Sequence, residues 1–449
     1  MQERGNFTSK IGFVLAAAGS AVGLGNIWRF PYLAAKYGGM FLVTYLILVV
    51  TFGFAIMMTE IAIGRKTGKS PIGAFTQLNK KSGIIGWIAV VVVAIIFPYY
   101  SVIGGWVTKY LVTFIVGTNP TVEASNAFFG NFIAQPVEPI IWLLVFVVLT
   151  ALVVVRGVEK GIEKASMVMM PILVVLTVCV AIYSVCLPGA LEGVKYYLIP
   201  DFSSLSANMI LAAMGQMFYS MSLAMGIMIT YGSYLKKEDN LEKSVGQIEL
   251  FDTGIAVLAG FMVIPAVTAF NGVEALGTGG PGLMFVTLPQ VFASMPFGRI
   301  IGIVFFLLVL FAALTSAISI MEALVSTLCD QFKMGRKTAS LIMFLWAAVF
   351  GIIPSLGFGK WSHVLIFNMD ILTFMDFITN SVLMPIGALL TCVFVGYFLG
   401  VKAICDEVEL SARFSRKKMY IAMIKYIAPI FILGILISSV LSAFGLMTL

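Results

Sequence analysis

Charge is scarce in this chain: 11% of its 449 residues are Asp, Glu, Lys or Arg, and one histidine and five cysteines complete its short supply of reactive groups. The lone histidine, His363, falls between apolar stretches, which argues against a His-based metal or catalytic centre. Cys179, Cys186, Cys329, Cys392 and Cys405 are odd in number and scattered. They show neither metal spacing nor a disulfide framework, and most read as small apolar fillers. No polar stretch is long enough for a soluble domain. What fills the chain is apolar sequence, 60% of all residues.

A bilayer span needs about 20 apolar residues. By that measure the chain holds about eleven, near 11–36, 38–64, 82–118, 139–155, 165–187, 207–235, 242–270, 300–330, 338–354, 370–399 and 419–446. The fold class expected is therefore an all-α integral membrane protein solvated by lipid. Placing residues 1–10 inside puts most of the cations on one side and only Lys36, Lys109, Lys195, Arg299 and Lys360 on the other. Basic residues favour the cytoplasm, so the N-terminus is expected inside and, after an odd number of spans, the C-terminus outside. This sidedness accounts for the net charge of +7 without a nucleic-acid partner. The stretch from Ile11 is too long and too Gly-rich for a cleaved signal and reads as mature structure. Two long external connections are expected, Gly117 to Pro139 and one opening at Asn271 to Pro281. The second is expected to act as a lid, since loops of that length usually carry function.

Two polar interruptions stand out inside apolar spans, one in each half: Gly19-Ser20-Ala21-Val22-Gly23-Leu24-Gly25-Asn26 and Ser220-Met221-Ser222-Leu223-Ala224-Met225-Gly226. An unpaired backbone group in hydrocarbon costs several kcal/mol, so a helix broken at mid-depth persists where its freed groups face a ligand or a water-filled cavity. Paired breaks in two halves point to a transport site. Asp252, alone in an apolar span, implies a cation partner. A carboxylate paired to lysine is the plainer reading, but no basic residue lies in the neighbouring apolar sequence.

The run Ala18 to Pro31, with Glu60 to Arg65, Tyr99 to Trp106, Gln216 to Tyr234, Phe251 to Pro265 and Ala312 to Met321, resembles the neurotransmitter:sodium symporters, especially bacterial eleven-span amino-acid transporters. The resemblance implies a 5+5 inverted repeat with broken helices 1 and 6. Residues 11–187 would form the first repeat and 207–399 the second, with 419–446 outside it. Relative to twelve-span members the chain is expected to stop one helix early, so the resemblance does not extend to a dimer interface that uses that helix.

The resemblance also implies a site. One sodium would take the Ala21 carbonyl, Asn26, Ser220, Asp252 and the substrate carboxylate. A second would take carbonyls of Gly19, Val22 and Ala312 with hydroxyls of Thr315 and Ser316; alone, those hydroxyls would read as bonded to their own helix. Many animal members carry asparagine at Asp252 and recruit chloride. Here Tyr45, Gln216 and Ser220 remain, but Ala256 stands where such members have serine. Asp252 is thus expected to supply the negative charge, with no chloride.

For the amino acid, the carboxylate would meet amides near Gly23 and Gly25 and the Tyr100 hydroxyl. The ammonium would face carbonyls around Ala21, Tyr219 and Ser222. Ile96, Tyr219, Ser222, Met225, Ser316, Ala317 and Ile320 would bound the side chain, although Ile96, Met225 and Ile320 singly read as helix packing. An apolar space without a counter-charge rejects charged side chains. A neutral hydrophobic or aromatic L-amino acid is expected, with tyrosine, tryptophan, leucine and methionine all open.

Arg29 with Asp376 would form the outer gate and Arg4 with Asp330 the inner, near Tyr234 and Glu322, with Phe7 where relatives often carry tryptophan. Simple salt bridges are the alternative. Gly161 and Pro171 would let the cytoplasmic end of span 5 unwind, or merely kink it. The implied activity is sodium-coupled uptake by alternating access across a bacterial inner membrane, with two sodium ions, and it is not enzymatic. A ligand-gated channel would need a continuous polar pore. A hydrolase built on Ser222 or Ser316 would lack a histidine base.

Overall fold

The computed structural model describes residues 6–122, 124–272, 276 and 282–443. Helices dominate these residues, and the only bridge among them is the isolated pair Ile366 and Met369. Eight helices are long and apolar enough to cross a bilayer: Gly39–Thr67, Lys80–Val116, Val158–Val185, Leu241–Phe270, Gly298–Phe332, Arg336–Leu356, Ile371–Glu409 and Lys417–Leu441. They correspond to expected spans 2, 3, 5 and 7–11. Span 1 is a bent pair, Lys10–Ala21 and Gly25–Tyr37, meeting at 51°. Span 4 is Glu138–Val154, bent by 81° from the helix before it. Span 6 is divided into Ala207–Ser220 and Ile227–Gly232, each too short to cross alone.

Several boundaries differ from the sequence reading. The connection 117–139 holds a helix, Ser125–Ala134, whose Phe129 and Phe132 are buried. Phe129 stacks on Phe285 at 5.1 Å and meets the edge of Trp106 at 5.5 Å. Flanking prolines made this segment read as loop, while its apolar residues at helical spacing find an aromatic layer to pack on. Span 10 continues past 399 to Glu409, turning at Gly400 with φ 84°. That added turn brings Glu407 to Arg65 at 2.9 Å and to Lys237 at 2.8 Å. Of the expected lid, residues 273–275 and 277–281 lie outside the described residues. The apolar helix Leu283–Ser294 follows it, and Tyr110 donates to the Phe285 carbonyl at 2.8 Å.

Spans 2 and 6 approach backbone to backbone. A Cβ on Gly64 would lie 2.0 Å from the Ile229 carbonyl oxygen, and one on Gly232 would lie 2.4 Å from that of Ile61. Small residues permit such contact, which dispersion forces favour inside a membrane. The inner half of span 6 is thereby pressed onto span 2. Span 5 is helical from Val158, opening with a wide π turn, Val158–Glu163, that contains Gly161, while Pro171 lies inside the regular helix that follows. The five cysteines are free.

Candidate binding site at two helix breaks

Span 1 loses its helix where Val22 turns to ψ 94°, and resumes at Gly25. In span 6, Ser222, Ala224 and Gly226 all take positive φ, at 53°, 59° and 70°. Left-handed backbone costs a non-glycine residue about 1–2 kcal/mol, so Ser222 and Ala224 need external support. Glu60 provides it by accepting the Ala224 N–H at 2.8 Å from buried surroundings. Freed groups of span 1 are satisfied likewise. Asn26 Oδ1 accepts the Gly23 N–H at 3.1 Å, and Gln216 donates to the Gly25 carbonyl at 2.8 Å.

The structure gathers Asn26, Ser220 and Asp252 into one buried cluster. Asn26 Nδ2 donates to Asp252 Oδ1 at 2.7 Å and to the Asp252 carbonyl at 3.0 Å. Ser220 Oγ donates to the same Oδ1 at 2.8 Å, and the Tyr45 hydroxyl to Oδ2 at 3.3 Å. Every hydrogen-bond partner that Asp252 shows is neutral. Arg416, which sequence distance hides, reaches span 7 at Glu249 with a 3.2 Å ion pair. One carboxylate set among neutral oxygens suits a small hard cation. Gln216 Oε1 is buried with no hydrogen-bond partner among the described residues.

A second group forms where span 8 faces the span 1 break. Ser316 Oγ donates to the Ser20 carbonyl at 3.0 Å and lies 3.4 Å from that of Gly19. Thr315 Oγ1 donates to the carbonyls of Phe311 and Ala312 in its own helix at 3.0 and 3.1 Å, while its Cβ and methyl face Gly19. Val22, the cap of the broken helix, is fully buried.

Between these groups lies a cavity of about 20 Å³, lined by Ser20, Ala21, Gly23, Leu24, Gly25, Ile96, Tyr100, Tyr219, Ser222, Met225, Ser316 and Ile320. Ala317, also expected there, is buried but does not line it. One residue past Ser316, it points about 100° away around the helix. Ser20 and Leu24 were not singled out from sequence, although both lie inside the break motif. The Tyr100 hydroxyl is buried without a hydrogen-bond partner among the described residues. Ser316 and the Leu24 backbone are the groups near it, and a buried polar atom with no well-formed bond to either could turn to a ligand. A larger external hollow of about 320 Å³, between residues 119–122 and 292–299, shares no residue with either break.

The charges expected as gates are only partly brought together. Arg29 sits over the Tyr219 ring at 5.7 Å, while Asp376 accepts from Tyr99 at 3.2 Å and from Asn380. Arg29 and Asp376 form no ion pair within 4.0 Å. On the cytoplasmic side Arg4 lies outside the described residues, and Asp330 accepts the Ser70 N–H at 2.8 Å. Phe7 is buried edge-on against Phe13, Tyr231 and Tyr234 at 5.5, 5.7 and 6.1 Å. Ring packing thus fills the place of an indole donor. Tyr234 donates to Glu322 at 2.7 Å, and Arg336 pairs with Glu322 while donating to the Val154 carbonyl at 2.8 Å. In the sequence Arg336 is one of the many cations on the cytoplasmic side, with nothing local to set it apart.

Broken membrane helices that converge on buried oxygens define a multi-pass transporter rather than an enzyme. The profile of the Sodium:neurotransmitter symporter family matches residues 4–134 and 132–447, and the chain belongs to that family of sodium-dependent symporters. Among its relatives is the uncharacterised sodium-dependent transporter YhdH of Bacillus subtilis, 38% identical over 95% of this chain and 96% of that one. The sodium- and chloride-dependent glycine transporter 2 of Xenopus laevis is 26% identical over 96% of this chain and 64% of that one. The crystal structure of MhsT in complex with L-phenylalanine matches with a TM-score of 0.90 and 38% identity, covering 97% of this chain and 100% of that one.

Proposed function

We propose that the chain carries a neutral hydrophobic or aromatic L-amino acid together with two sodium ions, from outside to cytoplasm, without chloride. The observation that carries this reading is the buried Asp252 carboxylate, bonded by Asn26, Ser220 and Tyr45 beside both breaks. A first sodium would take the Ala21 carbonyl, Asn26, Ser220, Asp252 and the amino acid's carboxylate. A second would take the carbonyls of Gly19, Val22 and Ala312 with the hydroxyls of Thr315 and Ser316. With its charge built in, Asp252 makes a chloride ion unnecessary beside Tyr45 and Ser220.

The cargo carboxylate would meet the Tyr100 hydroxyl and the amides near Gly23 and Gly25, since helix-end amides favour anions. Ile96, Met225 and Ile320 supply apolar lining, and Met225 is unbranched and adaptable. A relative's complex with phenylalanine supports an apolar cargo. A 20 Å³ cavity holds about one water, so the lining must part to admit an amino acid. The broken spans 1 and 6, moving against the spans packed around them, would expose the site to each side in turn, with Arg29 and Asp376 closing it outside and Arg4 and Asp330 inside. The membrane is a bacterial inner membrane, with the N-terminus cytoplasmic and the C-terminus external.

Two sodium ions crossing 100 mV contribute about 2.3 kcal/mol each. A tenfold gradient adds about 1.4 kcal/mol per ion. The sum of about 7 kcal/mol supports about a 10⁵-fold gradient of a zwitterion. The test is uptake of labelled phenylalanine into proteoliposomes under a sodium gradient, in chloride and in gluconate. Equal sodium-driven uptake in both is expected. Uptake that persists in choline overturns the sodium coupling, and a strict chloride requirement overturns the role given to Asp252.

A further inference from the structure

The start of span 1 and the π turn of span 5 meet at one carboxylate. Glu163, last residue of that turn, is 2% exposed. It accepts four hydrogen bonds: from Thr8 N at 2.8 Å, Thr8 Oγ1 at 2.8 Å, Ser9 N at 3.1 Å and Ser9 Oγ at 2.8 Å. Ser9 is also the N-cap of Lys10–Ala21, and its hydroxyl accepts the Gly12 N–H at 3.0 Å. Both the orphan amides of a helix start and its dipole favour an anion there. Gly12 makes room for it, since a Cβ at this position would lie 2.0 Å from Glu163 Oε1.

These contacts join two segments that, on the transport reading above, would have to move for the cytoplasmic side to open. Lys10–Ala21 ends in the carbonyls proposed to hold sodium. Glu163 lies between Gly161 and Pro171, the stretch with weakened helical bonding. A turn of span 5 that widens further rotates residue 163 and withdraws its carboxylate from all four donors at once. In the other direction, a helix 1 that swings away leaves a buried charge without donors, which favours hydration of span 5.

We propose that Glu163 is a positioning residue that couples withdrawal of the start of span 1 to loosening of span 5, so that the two occur as one step. The inference rests on the transport reading above. Its test uses Ser166→Cys, a buried position within 161–171, in the full chain with Cys179, Cys186 and Cys329 replaced by Ala. Modification by a membrane-impermeant thiol reagent from the cytoplasmic side, in sodium, reads the opening of span 5.

Glu163→Ala is expected to raise the modification rate at least tenfold, the lower end for even one hydrogen bond to a charged acceptor. Glu163→Gln should recover part of the protection, because it keeps the length and one acceptor oxygen. Thr8→Val should raise the rate alone and add nothing to Glu163→Ala, as expected of groups that act through each other. An unchanged rate in Glu163→Ala, or effects that multiply in the double variant, overturns the proposal. Should Glu163→Ala not fold, Thr8→Val and Ser9→Ala decide it: both must raise the rate. Sodium-dependent phenylalanine binding by the Ser166→Cys parent is measured on the same sample. Its absence counts against the cargo reading, whereas the labelling ratio between variants judges the coupling.

Discussion

The Ser222 hydroxyl donates to the Ser20 carbonyl at 3.0 Å, tying the two broken spans directly to each other. Ser316 donates to the same oxygen at 3.0 Å from span 8. One backbone oxygen freed by the first break thus collects three spans. In hydrocarbon this carbonyl has no water to turn to, so its two hydroxyl partners are part of what makes the break tolerable.

Removing one of two donors leaves that carbonyl bonded. Ser222→Ala is therefore expected to weaken phenylalanine affinity less than tenfold, on the scale of about 1 kcal/mol for one neutral hydrogen bond. Equilibrium dialysis in sodium measures it. A loss beyond a hundredfold would mean that the hydroxyl touches the amino acid itself.

Tyr100 poses the opposite case, because its buried hydroxyl has no protein partner among the described residues. Tyr100→Phe should leave thermal stability unchanged or slightly raised, while affinity falls by about 1.5–3 kcal/mol, the value of a bond to a charged acceptor. Thermal unfolding without cargo and binding with it separate the two effects. A drop in stability without loss of affinity would show that the phenol serves packing alone.

Asp252→Asn keeps the shape of the cluster and removes its charge. Asn26 then faces an amide in place of a carboxylate, and cation affinity falls. Sodium-driven uptake is expected to drop at least tenfold in gluconate and to recover in part in chloride, since Tyr45 and Ser220 still offer hydroxyl donors to an anion. Uptake equal to the unaltered chain in gluconate would sink the idea that Asp252 provides the fixed negative charge.

Gly64→Ala tests the fold apart from the site. Its new methyl would sit 2.0 Å from the Ile229 oxygen and 2.9 Å from the Ser233 nitrogen, both backbone atoms. No side-chain rotation relieves such a contact, so a destabilisation of about 1–3 kcal/mol is expected. A melting temperature within a degree of the unaltered chain would show that spans 2 and 6 part easily.

Much of the site could be read from residues whose chemistry is out of place in an apolar chain. Asp252 is a carboxylate in a span, and Gly19, Gly23 and Gly25 crowd one stretch of span 1, so both stood out. Ser20 did not, because a serine in a membrane helix ordinarily bonds its own preceding turn. Its carbonyl matters here only because the fold brings Ser222 and Ser316 to it. Arg336 was hidden for a similar reason: among the cytoplasmic cations nothing local marks the one that meets Glu322. The helix Ser125–Ala134 lay between prolines that signal loops, and its order comes from aromatic rings far away in the chain. Ala317 lies outside the lining of the cavity through helical phase, which a likeness in residue type does not resolve.

The joins at the cytoplasmic ends of the two discontinuous spans differ in kind. Main chain meets main chain at Gly64 and Gly232, while a carboxylate holds the beginning of span 1 through hydrogen bonds to one side chain. The first join is a weld and the second a clasp. On the proposed reading, the site residues of span 6 are accordingly fixed to its neighbour, and those of span 1 sit on the arm that would be let go.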